Sequence, residues 1–111
     1  MVEVIRPSEV PTSKNPRGEE VRFLVDREPV SVVMLTLPPE GRVPMHKTPV
    51  DVLFYVSAGE GEVHIGDESA RVRMGDIIVS PAEIPHGLNA SENSKLEVLI
   101  IKTPNPRKPT A

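Results

Sequence analysis

The fold of this protein is decided by the stretch Gly41–Ala90, which reads GRVPMHKTPVDVLFYVSAGEGEVHIGDESARVRMGDIIVSPAEIPHGLNA. It contains all three histidines of the chain, His46, His64 and His86. Two glycine-punctuated blocks lie within it, and each sets a histidine near a proline and contains a β-like segment. We interpret the blocks as two halves of one small barrel that brings His46 and His86 together inside it.

The composition excludes several classes of protein. A chain of 111 residues has room for one packed core and therefore one domain. The absence of cysteine rules out a disulfide framework or a thiolate metal site. A net charge of -3 gives no electrostatic reason to expect nucleic acid or an anionic membrane as a partner. Neither a signal-peptide core nor an apolar run of about 20 residues is present, so we expect a soluble cytoplasmic protein.

Proline spacing and alternation predict an all-β fold. Thirteen prolines and seven glycines are scattered along the chain, and proline breaks helices because it lacks a backbone donor. Between them lie short segments with apolar residues at every second position, the pattern of a sandwich or barrel. The strongest strand is predicted at 51–58, with a tight turn at 59–61 into a further strand. The predicted organisation is an irregular or edge segment at 1–19, a barrel at 20–103 and a mobile proline-rich tail at 104–111.

The two blocks resemble the paired motifs of the cupin superfamily. In that family the first motif reads G-x5-H-x-H-x3-4-E-x6-G and the second reads G-x5-P-x-G-x2-H-x3-N. The resemblance implies a single jelly-roll β-barrel, also called a double-stranded β-helix. The second motif departs from the family at Glu83, which stands where its second glycine belongs. The matching residues are Gly75, Pro81 and His86 for the second motif, and His46 and Gly59 for the first.

The metal ligands implied by this resemblance are incomplete. Cupins hold a divalent metal with two histidines and a glutamate of the first motif and the histidine of the second. Here Thr48 and Val52 stand where the second histidine and the glutamate belong, so His46 and His86 alone carry over. If a bulge turned Asp51 inward, His46, His86 and Asp51 would form a two-histidine, one-carboxylate site. The cofactor prediction is open between one divalent ion (Fe, Mn, Ni or Zn) and none.

Each candidate ligand also has an interpretation without metal. His46 and His86 could be pocket histidines that are hydrogen-bonded to protein or water, and Asp51 a solvated residue at the entrance of its strand. His64 alternates with Val63 and Ile65, which places it on the outer surface.

A small-molecule pocket is predicted on the inner face of the barrel. Side chains two positions apart on a strand share a face, which collects one apolar lining with a polar mouth. The predicted pocket residues are His46, Thr48, Val52, Phe54 and His86.

Two functions remain open on the sequence. The first is a binding module that holds a small organic ligand in a barrel with a reduced metal site. It is favoured because Thr48 and Val52 replace a histidine and a glutamate of the family's metal ligands. The alternative is a cupin enzyme of the dioxygenase, isomerase, decarboxylase or lyase type that uses a metal on His46 and His86. A metal-free enzyme with a histidine as general base is a variant of this alternative. No catalytic residue is assigned.

A homodimer is predicted from strands that are apolar on both faces. Leu53 and Tyr55 alternate with Phe54 and Val56, so one pair is left outside the barrel. A small chain has one core, and a second copy is the commonest cover for an apolar outer face. Tyr55 is the expected anchor of this interface.

Overall fold

The computed structural model describes residues 1–108 and is built almost entirely of β-strands. The predicted all-β class is confirmed, and a 3₁₀-helix at Pro7–Glu9 is the one helical element in this part of the chain. Nine strands follow in order: β1 (Ser13–Lys14), β2 (Glu20–Arg27), β3 (Val30–Leu37), β4 (Arg42–His46), β5 (Asp51–Ile65), β6 (Glu68–Arg73), β7 (Ile77–Ser80), β8 (His86–Ala90) and β9 (Leu96–Thr103).

The strands form two antiparallel sheets that share β5. The first sheet has the order β1-β2-β3-β9-β5-β7, and the second has the order β6-β5-β8-β4. Because the two halves of β5 belong to different sheets, the sheet curls on itself into the predicted jelly-roll barrel.

Strand β5 differs from its prediction, since no turn interrupts it. The glycines at 59–61 lie within one strand of 15 residues. A register shift between Val56 and Ala58 bends the strand, and Gly59 has a left-handed φ of +78°. Backbone from neighbouring strands approaches Gly59 and Gly61 so closely that no Cβ would fit. These glycines therefore allow a bend and close strand packing, which local turn statistics cannot distinguish from a hairpin.

The core lies between the inner faces of the two sheets. Alternation along β5 buries Val52, Phe54 and Val56, as the sequence predicts, and β9 adds Leu96 and Val98 from the neighbouring strand. These five side chains are at most 3% exposed. The same inner face continues toward one end of the barrel, where polar side chains replace apolar ones.

The segments that flank the barrel each contact it. The edge strand of the N-terminal segment is β1, whereas Val2 and Val4 lie exposed. In the predicted proline-rich tail, Asn105 is fully buried and its amide donates to Asp26 Oδ1 at 2.7 Å, so residues 104–108 are attached to the barrel at this point. The mobility of this segment stays a prediction. Residues 109–111, the rest of that predicted tail, lie outside the described residues.

Candidate functional site

The site is built on a cross-strand pair of histidines. His46 at the end of β4 lies opposite His86 at the start of β8, after a register shift between Val43 and His46. Their ring centroids are 4.7 Å apart with the planes at 89°. The proximity of the two rings, predicted from the paired blocks, is confirmed, while a metal-binding role for them stays a prediction.

His86 is enclosed on all sides and is 3% exposed. Its Nδ1 lies 2.7 Å from Ser80 Oγ, and its Nε2 lies 3.3 Å from Thr48 Oγ1. The ring also packs edge-on against Phe54 at 5.2 Å. Burial lowers the pKa of His86 to about 4, and the positive charges of His46, Lys102 and Arg17 add to this effect. The ring is therefore neutral at pH 7, with both nitrogens engaged by hydroxyl groups.

His46 is half-buried and has a defined tautomer. Its Nδ1 lies 2.9 Å from the carbonyl oxygen of Pro44. A carbonyl oxygen only accepts, so Nδ1 carries the proton and donates it. In the neutral ring Nε2 then keeps its lone pair, and within residues 1–108 it has no hydrogen-bond partner.

Asp51 is not brought to the histidines. The side chain is exposed, and Oδ1 accepts a hydrogen bond of 2.8 Å from the backbone N–H of Ala82. This bond stabilises the turn between β7 and β8, where Glu83 takes the left-handed φ of +68° at the position of the family's glycine. Of the two interpretations left open for Asp51, the structure therefore shows the exposed residue at the entrance of its strand, because the carboxylate finds a backbone donor outside the barrel. Metal ligation by Asp51 stays a prediction.

Two neighbouring cavities share part of their walls, and we call them the inner and the outer chamber. The inner chamber of about 50 Å³ includes His46, Phe54 and His86 in its walls. The outer chamber has a volume of about 380 Å³, within the range of small-molecule sites. Four residues line both chambers: Arg17, Leu35, Ile100 and Lys102.

The remaining predicted pocket residues lie behind these walls. Thr48 is buried and contacts His86 through its hydroxyl, and Val52 is part of the packed core. Both side chains are inside the barrel as alternation predicts, but neither lines a chamber. A larger open groove of about 810 Å³ contains none of the histidines. We therefore place the candidate site in the inner chamber, which the histidines line, and in the outer chamber, which shares four wall residues with it.

The family model of the cupin domain matches residues 33–102, which is more than half of the chain. The chain belongs to the cupin family. The match spans β3 to β9 and so includes both histidines of the site. A comparison with curated proteins gives no match.

Solved structures confirm the cupin fold. KdgF from a Halomonas species superposes with a TM-score of 0.85 at 21% identity, covering 95% of this chain and 97% of that one. A polyketide cyclase, RemF from Streptomyces resistomycificus, superposes with a TM-score of 0.82 at 18% identity, covering 93% of this chain and 80% of that one. A predicted oxalate decarboxylase from Thermotoga maritima superposes with a TM-score of 0.79 at 24% identity, covering 91% of this chain and 98% of that one. At these identities the likeness concerns the fold alone.

The donor groups of this cupin do not fit a divalent metal. Within residues 1–108 no three histidine, aspartate or glutamate side chains come together around one point. Catalytic metal sites commonly need three protein ligands, and here the other two ligand positions hold a neutral hydroxyl, Thr48, and an alkyl group, Val52. A metal on His86 would also have to displace Ser80 or Thr48 from its ring nitrogens.

Two cationic residues of the site, Arg17 and Lys102, were missed by sequence reasoning. Lys102 follows Leu96, Val98 and Ile100 at period two on β9, so alternation alone could have placed it on the inner face. Arg17 carries no such signal, because it lies in the irregular segment between β1 and β2. Its guanidinium forms hydrogen bonds of 3.0 Å to both carboxylate oxygens of Glu19.

No helix in residues 1–108 has the length and apolar character needed to cross a membrane.

Proposed function

We propose that this cupin binds a small organic molecule in the outer chamber, with no metal ion in the site. The observation that carries the proposal is the cavity of about 380 Å³ that shares four wall residues with the chamber of the histidine pair. Its walls are mostly apolar, with Val21, Val33, Leu35 and Ile100 on three strands. Apolar walls with a few convergent polar groups are typical of small-molecule sites.

The histidines, which line the inner chamber, would then serve as polar anchors for one end of the bound molecule. His46 offers the unpaired Nε2 as an acceptor, whereas both nitrogens of His86 are occupied by hydroxyls. Thr48 and Ser80 thus hold His86 as a rigid wall against Phe54.

That the protein works in the cytoplasm stays a prediction of its sequence.

A second candidate function is proton transfer by His46. The Pro44 carbonyl fixes the tautomer, so that the base Nε2 is available to a bound molecule. This arrangement supports the metal-free form of the enzyme alternative over the metal-dependent form, because it needs no further ligand. We rank it below binding, since no aspartate or glutamate of residues 1–108 lines either chamber to orient the ring or complete a catalytic pair.

Binding can be tested with two aryl probes of the same shape, benzamide and benzoate. We expect at least one of them to shift the methyl resonances of Val33, Leu35 and Ile100, which face the outer chamber. The shifts should persist after dialysis against EDTA, and the purified protein should contain metal far below one ion per chain. Replacing Ile100 with Trp should fill the chamber and abolish the shifts of Val33 and Leu35. If neither probe moves these resonances, the proposal fails.

We also propose that the protein is a homodimer that pairs through the outer face of the first sheet. Register places Leu53 opposite Val79 and Tyr55 opposite Ile77, so these four side chains share the outer face. Ile77 and Val79 are 66% and 63% exposed in the single chain. On the neighbouring strand Leu99 pairs with Tyr55 and extends the same apolar surface. A second copy would cover this surface by two-fold symmetry.

Sedimentation at micromolar concentration should therefore give twice the chain mass of 12.2 kDa. Replacing both Ile77 and Val79 with lysine should weaken dimerisation at least about tenfold, because it buries charge in the interface. Met45, an exposed residue of β4 in the other sheet, offers the control Met45→Lys, which should leave the dimer intact. A wild-type chain that sediments as a monomer contradicts the proposal.

A further inference from the structure

Lys102 places an unmatched positive charge inside the barrel. It lies on β9 between β3 and β5, opposite Ser31 on one side and Val52 on the other. Its side chain is half-buried and lines both chambers. Within residues 1–108 it takes part in no salt bridge and no side-chain hydrogen bond.

The other cations near the chambers already have anionic partners. Arg17 is bound to Glu19 by two hydrogen bonds, and Arg107 Nη2 lies 3.2 Å from Asp26 Oδ1. No aspartate or glutamate of residues 1–108 lines either chamber. The interior therefore carries one positive charge, on Lys102, that the described part of the protein does not neutralise.

Burial of such a cation is unfavourable in the empty protein. Desolvation lowers the pKa of Lys102, and the nearby charges of Arg107 and Arg17 lower it further. A half-buried ammonium group without a counter-ion costs folding free energy. An anion in the chamber would supply both the charge and the hydrogen-bond acceptors.

We propose that the molecule bound in the barrel is a small monocarboxylate with an apolar body, whose carboxylate pairs with Lys102. This inference rests on the proposed binding function and names its ligand class. The carboxylate lies where the two chambers meet, within reach of the ammonium, and the apolar body lies against Val33 and Ile100 in the outer chamber. A single unmatched cation suits a single negative charge better than the double charge of a phosphate monoester.

The inner chamber then holds the end of the ligand nearest the histidines. At about 50 Å³ it admits a group of a few atoms and no whole organic molecule. Arg17, which lines both chambers, keeps free N–H donors after its two bonds to Glu19 and can add a hydrogen bond to the same carboxylate.

Benzoate and benzamide separate charge from shape, because they differ mainly at the carboxylate. We expect wild-type protein to bind benzoate at least about tenfold more tightly than benzamide, since a charge-assisted hydrogen bond in a half-buried site is stronger than a neutral one. Affinities follow from titration of the methyl resonances of Val33, Leu35 and Ile100. Replacing Lys102 with Met keeps the length of the side chain and removes the charge, so this preference should disappear.

The variant is not expected to unfold, because it replaces an unmatched, half-buried cation with an apolar group of similar size. Thermal unfolding of K102M checks this directly. The matched control is Lys95→Met, which removes an exposed lysine that lines the open groove and neither chamber, so the preference should remain.

The outcomes separate this inference from the function on which it rests. Equal affinity for the two probes, or a benzoate preference that survives in K102M, overturns the carboxylate assignment while barrel binding stands. Absence of methyl shifts with either probe overturns both proposals. The last outcome concerns competition with inorganic phosphate. If phosphate displaces benzoate at a concentration below the dissociation constant of benzoate, the carboxylate assignment is overturned and the site is assigned to phosphate esters.

Discussion

Replacing Gly59 with alanine is expected to destabilise the protein by about 4 kcal/mol. Gly59 lies at the bend of β5 with φ +78°, and an added Cβ would overlap the carbonyl group of Lys95 just before β9. The left-handed backbone accounts for about 1 kcal/mol of this cost and the overlap for about 3 kcal/mol. The overlap is the larger part because the obstacle is backbone, next to the fully buried Leu96, and cannot rotate away.

Gly75 provides the matched control for this substitution. It has φ +98°, but an added Cβ there meets nothing within 4 Å. Gly75→Ala should therefore cost only the backbone strain of about 1 kcal/mol. Urea denaturation of both variants measures the difference, and a Gly59→Ala protein that does not fold at 25 °C counts as the larger loss. Equal losses in the two variants would show that the close approach at Gly59 contributes nothing.

The same substitution should disturb the candidate site. Phe54 belongs to the half of β5 in the first sheet, and the half in the second sheet pairs with β8 at His86. The bend at Gly59 determines how these two halves of β5 are oriented relative to each other. It therefore also determines how Phe54 packs against His86. We expect the ring resonances of both residues to shift in any Gly59→Ala protein that remains folded.

Acid is expected to destabilise the protein through His86, by about 3 kcal/mol between pH 6.5 and pH 4. The folded protein holds the pKa of His86 at about 4, whereas the unfolded chain has the ordinary value of 6.5. Above pH 6.5 the ring is neutral in both states and contributes no pH dependence. Below it the unfolded chain takes up a proton that the folded protein binds only near pH 4, so the free energy of unfolding falls across this window.

Comparison of variants isolates this contribution from the carboxylates that titrate in the same range. His86→Gln removes the titrating group and keeps an amide that can bond to Ser80 and Thr48, so most of the acid-induced loss should vanish. His64→Gln is the control, because His64 is a partly exposed residue of the outer surface that bonds to Ser69 and Asn89. Urea denaturation at pH 7 and at pH 4.5 provides the measurement. If wild type and His86→Gln lose the same stability, His86 does not titrate as described.

Much of the fold and half of the site follow from local patterns. Alternation along β5 predicted which of its side chains face the core, because successive residues of a strand point to opposite faces wherever the strand lies. The paired blocks likewise predicted that His46 and His86 meet, since each block places its histidine at the same end of its half-barrel. Lys102 carried the same signal as Val98 and Ile100 and could have been predicted in the same way.

The tertiary structure alone decided the features that depend on residues distant in sequence. Whether the glycines at 59–61 make a turn or a bend is decided by the backbone of Lys95 and Asn89, which belongs to other parts of the barrel. Asp51 faces outward because Ala82 offers it a backbone N–H, and Asn105 is attached to the barrel because Asp26 accepts its amide across 79 positions of sequence. A local pattern contains no information on such partners, since they become neighbours only when the strands pair.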